Sequence, residues 1–455
     1  MTGRSLVIRL LTSVVPGLAL LAFSLSCGLL SACNTCKTKA REKHNKTAFK
    51  SSQATGTATR STSKTVSTNK SDLFARGRVL QIEIELPAAD WETIRHQSRT
   101  AQQVKTQMCQ GAPYGSVFTS VKGKITVDGT TLDNVGIRKK GFLGSLNRDK
   151  PSLKIKFDKF TPGQKLLGSE RMTLNNSLQD GSLVRQCLAS KLFKDSKLPA
   201  PRCNFANVTV NGVHLGVYAH IEDIKKDFLR THFGDPEGHL YEGVQSDLTA
   251  LGLMALEQKT NKKTPYDRSD LRELEAALSD RSPGFHQRLE RLVDLDQFVK
   301  FWALETLISH WDGYTNHQNN YFLYRVPSSR KFTFIPWGLD QVLRRAPPYR
   351  LIQPENPLVF STGRVAHLSY RDPVLRAHYF EAMASLLEQW DEVALVAEIN
   401  RMYRLIAPYT LQSIRKDIRE LKKFIRQQGK NTRLLLSRGA PKLTRPFVGC
   451  ATSTK

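Results

Sequence analysis

The chain has 455 residues, 40% of them hydrophobic, and carries 68 Lys plus Arg against 41 Asp plus Glu, a formal net charge of +27. That apolar content can bury a core, so the chain as a whole is not a disordered polymer, and its length points to two or three domains or lobes. The positive excess fits an anionic partner such as phosphate, nucleic acid or a membrane surface, and does not choose among them.

Arg4 and Arg9 precede "LLTSVVPGLALLAFSLSCGLLSAC", an apolar stretch broken by Pro16 and ending in small residues, as a secretory signal does. Its ending "LSAC", residues 30–33, resembles the lipobox of bacterial lipoproteins; that resemblance makes Cys33 the lipidated first residue of the mature chain and 1–33 its signal peptide. Cys27, preceded by "SLS", fits the pattern less well. An uncleaved anchor is the other reading, since the run is nearly long enough to span a bilayer. Either one tethers the protein to a membrane, and the expectation is an exported chain, lipid-anchored to the bacterial cell envelope. With Cys27 removed and Cys33 lipidated, Cys36, Cys109, Cys187, Cys203 and Cys450 remain, an odd set that leaves one thiol without an intrachain partner. The sequence does not give their connectivity, and their spacings are unlike a zinc site.

Residues 34–72 turn to Lys, Thr, Ser and Gln and read as a flexible basic tether, with too little apolar surface to offset ordering. Folded structure is expected from 73. "GRVLQIEIEL" alternates as a half-buried strand, and Pro87 and Asp90 open a helix expected to run to about Gln103. Strands are expected at "GKITVDG", "NVGIRKK" and "SLKIKFDKF"; in the last, Leu153, Ile155 and Phe157 share one face and Lys154 and Lys156 the other. A helix follows at "SLVRQCLASKLFKD", then a hairpin at "NVTVNGVHLGVYAHIE" through Asn211-Gly212. After Glu222 the balance shifts to helices, at "DLRELEAALSD", "LDQFVKFWALETLISHW" and "TLQSIRKDIRELKKFIRQQ". The expected fold is α+β, a β-rich lobe over 73–221 and a mainly helical lobe over 222–445. No basic-aromatic nucleic-acid module is visible, and the basic face of the last helix reads as solvated.

The densest chemistry lies in "SHWDGYTNHQNNYFLYR", residues 309–325. A buried helix delivers Asp312 to a polar loop, "NYFLYR" leaves it as a strand, and a second apolar run, "FTFIPWGLDQVL", brings Asp340 to the same end of a hairpin. Asn316, Asn319 and Asn320 lie between as neutral oxygen donors. Magnesium takes one or two carboxylates together with phosphates and water. A base Asp, a later amide and a metal Asp after a strand pair also follow the order used by protein kinases. Asp and Asn are equally at home in turns, so the loop alone leaves both readings open. His310 and His317 match no zinc spacing; His310 reads as a brace for Asp312, and Trp311 and Trp337 as core supports.

Four pieces in order resemble the spore coat protein H (CotH) kinase-like proteins, atypical members of the protein-kinase fold. They are "RKKGFLG" with "KPSLKIKFDKF"; the long run from "NNSLQDGSLVRQ" to "HIEDIKKDFL"; "HWDGYTNHQNNYFLYR"; and "KFTFIPWGLD". The resemblance implies transfer of the γ-phosphoryl group of ATP to Ser or Thr of a protein substrate with Mg2+ or Mn2+. It makes Asp312 the base that orients the acceptor hydroxyl, Asp340 a metal ligand and Asn320 the second metal contact, with Asn316 and Asn319 as competitors. Lys154 or Lys156 would hold the α and β phosphates. Glu222 is the acid available to aim that lysine, or else it sits at the lobe junction near the base. Arg138 and Arg185 match positions that are basic in the family, contacting phosphate or bracing the small lobe.

Two departures keep a second reading open. No G-x-G-x-x-G loop is present, and "PWGLD" stands where many family members carry "PWDLD", so Gly338 removes a carboxylate. The alternative is a non-catalytic, pseudokinase-like envelope lipoprotein that serves as a binding or assembly module.

Overall fold

A computed structural model of the chain describes residues 73–107, 110–262, 267–345, 354–445 and 447. The signal peptide, Cys33 and the tether lie outside them, as do Cys36, Cys109 and Cys450. No helix of the described residues is long and apolar enough to cross a membrane.

Seven strands close a barrel: β1 (Val79–Glu85), β2 (Val121–Val127), β3 (Thr130–Lys140), β4 (Ser152–Lys156), β5 (Arg171–Asn175), β6 (Cys203–Val210) and β7 (Val213–Ile221). The order around it is β1-β2-β3-β4-β5-β7-β6, closed by parallel pairing of β6 with β1. Alternation drives this: Leu80, Ile82, Ile84, Ile137, Ile155 and Leu174 turn inward and form one buried cluster, which leaves the residues between them to face outward. The expected hairpin is present, with Asn211 at φ +49° and Gly212 at φ +78° in its turn.

The helix expected to reach Gln103 is two helices, α1 (Ala88–His96) and α2 (Ala101–Gln107). The break has a local cause. Gln97 is extended, and Thr100 and Gln103 exchange side-chain and backbone hydrogen bonds at 2.8 and 3.1 Å, a capping box that starts the second helix. On the outside of the barrel lies α3 (Arg185–Asp195), tied to β6 by a Cys187–Cys203 disulfide.

After the barrel come α4 (Lys226–Phe233), β8 (His239–Gly243), α5 (Gly252–Ala255), β9 (Glu257–Gln258), α6 (Ser269–Ser279), α7 (Phe285–Leu292), α8 (Leu295–Leu307), the single turn α9 (Tyr314–His317), β10 (Tyr321–Arg325) and β11 (Phe332–Pro336). Four helices finish the described chain: α10 (Arg364–Arg371), α11 (Pro373–Glu388), α12 (Glu392–Ile406) and α13 (Arg415–Leu436). The passage from a strand-rich to a helix-rich half is the α+β arrangement expected from the sequence.

The four strands of the second half form a sheet in the order β11-β10-β8-β9. It is covered on both faces. Tyr321, Leu323 and Phe334 join the large helical core with α3, α8 and α11, while Phe322, Tyr324 and Ile335 join a smaller cluster with Phe228 and Leu229 of α4. Double burial explains why "YFLY" is an unbroken apolar run. It also fixes the hairpin that carries the polar loops.

Candidate active site

The outer face of β3, β4 and β5 presents a row of polar residues. Register places Arg138 opposite Lys154 and Lys154 opposite Thr173, all pointing away from the packed barrel interior. Lys154 Nζ donates to Asp223 Oδ1 at 2.9 Å, and Thr173 Oγ1 donates to the same oxygen at 2.7 Å. Burial opposes ionisation of Asp223, but the Lys154 ammonium and the Thr173 hydroxyl outweigh it and hold its pKa down to about 2.

The acid that aims Lys154 is therefore Asp223, which corrects the first of the two roles expected of Glu222, pairing with that lysine. Glu222 faces the opposite way, accepting from the Arg202 backbone N–H at 3.0 Å and its guanidinium at 2.5 Å. Successive side chains of an extended segment diverge, so neighbours 222 and 223 serve different partners. Lys156 shares the face of Lys154 but is 44% exposed and reaches only Asp158 at 3.6 Å. Burial lowers the pKa of Arg138, with Asp223 and Glu242 opposing.

Sequence reading passed over Lys140. Two residues beyond Arg138 on the same face of β3, it is pushed down to about 8 by burial and then by the Lys154 charge, with the Asp340 carboxylate pulling the other way. It thus feels both the strand cation Lys154 and the Asp340 carboxylate. Its only signal was the spacing in "RKK", where alternation puts 138 and 140 together.

Asp340 lies in a short turn, Leu339–Gln341, directly after β11. Asn175 Nδ2, at the end of β5, approaches its Oδ2 at 3.5 Å. Burial, then repulsion from Asp180, raises the pKa of Asp340. Asp180 is itself fully buried and accepts from Ser182 N (2.9 Å), Ser182 Oγ (2.6 Å), Arg185 N (2.8 Å) and Arg185 Nη1 (2.5 Å). It secures the start of α3, and Arg185 acts there as a brace.

The Asp312 loop is stitched to this turn. Trp337 N donates to Asn320 O at 3.0 Å and Trp311 Nε1 to Gln341 O at 3.1 Å. Asp312 Oδ1 accepts from Asn319 Nδ2 at 3.1 Å, and its Oδ2 from Asn320 Nδ2 at 2.8 Å. Burial raises its pKa, against the pull of His317, Asn319 and His310.

Beneath the loop, the fully buried carboxylate of Glu305 meets His310 Nδ1 at 2.9 Å and accepts from Thr315 N at 2.9 Å and Thr315 Oγ1 at 2.8 Å. His310 thus braces the loop through Glu305. The sequence held a clue to this acid, the lone carboxylate inside the apolar run "FWALETLIS".

Of the three asparagines, Asn319 is committed, its Oδ1 accepting from Gln245 N at 3.2 Å, and Asn316 is buried with its amide donating to Trp311 O at 2.8 Å. Asn320 Oδ1 accepts no hydrogen bond from a described residue and lies over the Cα of Gly338.

The model of the family described as "CotH kinase protein" matches residues 137–429, which takes in every group above. The chain belongs to the CotH kinase family. A curated CotH relative, inner spore coat protein H of Bacillus subtilis strain 168, is 26% identical over 264 residues, covering 54% of this chain and 70% of that protein. Two solved structures align at 11% identity: the Helicobacter pylori proinflammatory kinase CtkA, with TM-score 0.34 over 63% of this chain and 93% of that one, and a Shewanella oneidensis MR-1 toxin–antitoxin complex of HipA, HipB and operator DNA, with TM-score 0.33 over 76% and 83%. Superpositions that loose say nothing about this chain's activity. Membership makes it a kinase-like protein.

For a CotH protein the donor set can be tested against a divalent cation. Among the described residues no group of three or more His, Cys, Asp or Glu could cage a metal. Asp340 and the uncommitted Asn320 Oδ1 are donors of the kinds a hard cation takes, a carboxylate and an amide oxygen, with its remaining ligands drawn from phosphate and water.

Proposed function

We propose that this CotH-family chain is a membrane-tethered protein kinase, transferring the γ-phosphoryl group of ATP to Ser or Thr hydroxyls of envelope or coat proteins. The supporting observation is that the Lys140 ammonium feels both the Lys154 charge on the barrel face and the Asp340 carboxylate of the β11 turn, while the neighbouring loop holds Asp312 by two amides. In this reading Lys154 and Lys140 bind nucleotide phosphates, and Asp223 keeps Lys154 charged and aimed. Asp312 orients the acceptor hydroxyl and takes its proton late, a task that an elevated proton affinity suits. Mg2+ or Mn2+ at Asp340 and Asn320 would neutralise charge on the phosphates. Lipidation of Cys33 would supply the tether.

A second reading, the non-catalytic envelope module, is favoured by one observation: Gly338 has no carboxylate and Asn320 fills its place. One experiment separates them. The chain lacking residues 1–33 is incubated with γ-labelled ATP and either metal, beside its Asp340→Ala variant, and ATP binding is titrated calorimetrically. Label and ATP heat that both fall in the variant support the kinase. If Asp340→Ala changes neither, or wild type neither binds ATP nor takes label, the kinase reading fails.

A further inference from the structure

Away from the Asp312 and Asp340 loops, a cavity of about 580 Å3 opens between α6, α10 and residues 443–445 and 447. Its apolar lining comes from Leu251, Leu278, Leu368 and Leu443. Its polar lining carries Arg281, Arg364, Arg371, Arg445 and His367 with one carboxylate, Glu275, while the Glu355 carboxylate beside it is taken up by the Thr444 N–H at 2.6 Å and the Arg445 N–H at 3.1 Å.

The Glu275 carboxylate is spent too. Glu275 Oε1 accepts from Arg364 Nη1 at 3.0 Å and from Ser279 Oγ at 2.6 Å, and Arg364 also donates to Leu248 O at 2.5 Å. Arg281 and Arg371 are exposed, and neither side chain makes a hydrogen bond or ion pair with another described residue. Unpaired surface cations are common in a chain of charge +27 and by themselves mean little. Here they border a recess partly lined by leucines, which is the build of a ligand site. Guanidinium forks match phosphate oxygens, and arginine clusters are a recurrent way to read phosphorylated segments.

The pocket is also wired to the base loop. Asp247 Oδ2 accepts from Arg364 N at 2.8 Å, where α10 begins, while its Oδ1 accepts from Tyr314 OH at 3.1 Å, two residues beyond Asp312. Thr362 N donates to Thr315 O at 2.9 Å.

We propose that this recess docks a phosphorylated Ser or Thr of a peptide segment, its phosphate on Arg281 and Arg371 and a neighbouring aliphatic side chain on the leucines of the lining. The site would hold product or an already phosphorylated substrate against the wall that supports the catalytic loop. Only the source of the phosphate rests on the kinase reading; the binding does not. A concave recess suits a side chain projecting from a peptide better than the plane of a bilayer, so a phosphorylated segment is the occupant.

The test uses the full chain and a fluorescein-labelled peptide containing phosphoserine beside leucine, with its unphosphorylated twin, followed by anisotropy without ATP. The phosphorylated peptide binds at least about ten-fold more tightly, as charge-assisted contacts to two arginines require. The Arg281→Ala/Arg371→Ala variant, altered only at exposed positions, loses that discrimination, and Asp340→Ala keeps it. Keeping it shows the pocket working even if phosphotransfer proves absent. Equal binding of the two peptides overturns the proposal. So does discrimination lost in Lys154→Ala but kept in the double arginine variant, which would place the peptide in the cleft. Binding to phosphatidylglycerol vesicles that the double variant abolishes, without phosphopeptide discrimination, would make the patch a lipid contact and overturn it too.

Discussion

The side chain of Asn320 occupies the space above the Cα of Gly338: a Cβ built there would run into Asn320 Oδ1 and Cγ. Gly338 also lies at φ +56°, a left-handed conformation that costs a residue with a side chain about 1 kcal/mol or more. Residue 338 and residue 320 are thus matched, and a glycine at 338 is built into this loop. Gly338→Ala should destabilise the protein by about 2 kcal/mol in urea unfolding. Adding Asn320→Ala should recover part of that loss. Strict additivity of the two changes would show that they do not compete for space.

Lys154 and Asp223 should be coupled, and Glu222 should not. Lys154→Ala strands a buried carboxylate, and a loss of about 2 kcal/mol is expected, below the range for fully buried pairs because Lys154 is 25% exposed. In a double-mutant cycle with Asp223→Ala, the two losses should fall short of adding by about 1 kcal/mol. Glu222→Gln, which loosens Arg202, should leave ATP affinity unchanged. Because the pKa of Asp223 is held down to about 2, its contribution is present above about pH 4 and lost as pH falls toward 2. Asp223→Asn should therefore flatten that part of the acid unfolding curve.

Lys140 gives the opposite pH signature. A half-buried lysine whose folded pKa is about 8 opposes folding while it is charged in both states; the penalty fades from about pH 8 to the ordinary lysine value near 10.5 and is gone above it. Lys140→Met should stabilise the nucleotide-free protein at pH 7 by about 2 kcal/mol and erase the difference from wild type at high pH. The same variant should bind ATP more weakly. Tighter binding would remove Lys140 from the phosphate site.

Gly313 must lack a side chain because Glu305 and His310 lie directly against its Cα, and an added Cβ would meet Glu305 Oε1 and then His310 Nδ1. Gly313→Ala should displace the Asp312 loop. Glu305→Ala, which orphans three hydrogen-bonding groups in the interior, should cost about 3 kcal/mol. Glu305→Gln should keep the fold by circular dichroism but lower phosphotransfer, since an amide cannot accept from His310 and Thr315 alike. Full activity in that variant would reduce Glu305 to a packing role.

Local rules carried much of this molecule. Period-two alternation located most barrel strands and put Lys154 and Lys156 on one face, Asn211-Gly212 announced its hairpin, and the apolar run before Asp312 announced a buried helix. Strand β5, with Asn175 at its end, went unmarked because "RMTLN" is short and lacks clear alternation. The short apolar repeats of α10, α11 and α12 were passed over as well.

What no local pattern contains is which partner each group finds. Asp223 rather than Glu222 meets Lys154 because the end of β7 is aimed by its pairing with β5 and β6. Cys187 finds Cys203 because α3 packs beside β6. Lys140, Asn175 and Asp180 gather around Asp340 only once the barrel is closed and the β10–β11 hairpin is buried on both faces. Side-chain direction is a property of a few consecutive residues and can be read along the chain; proximity across a fold depends on sheet register and core packing, and these three-dimensional constraints assembled the candidate site.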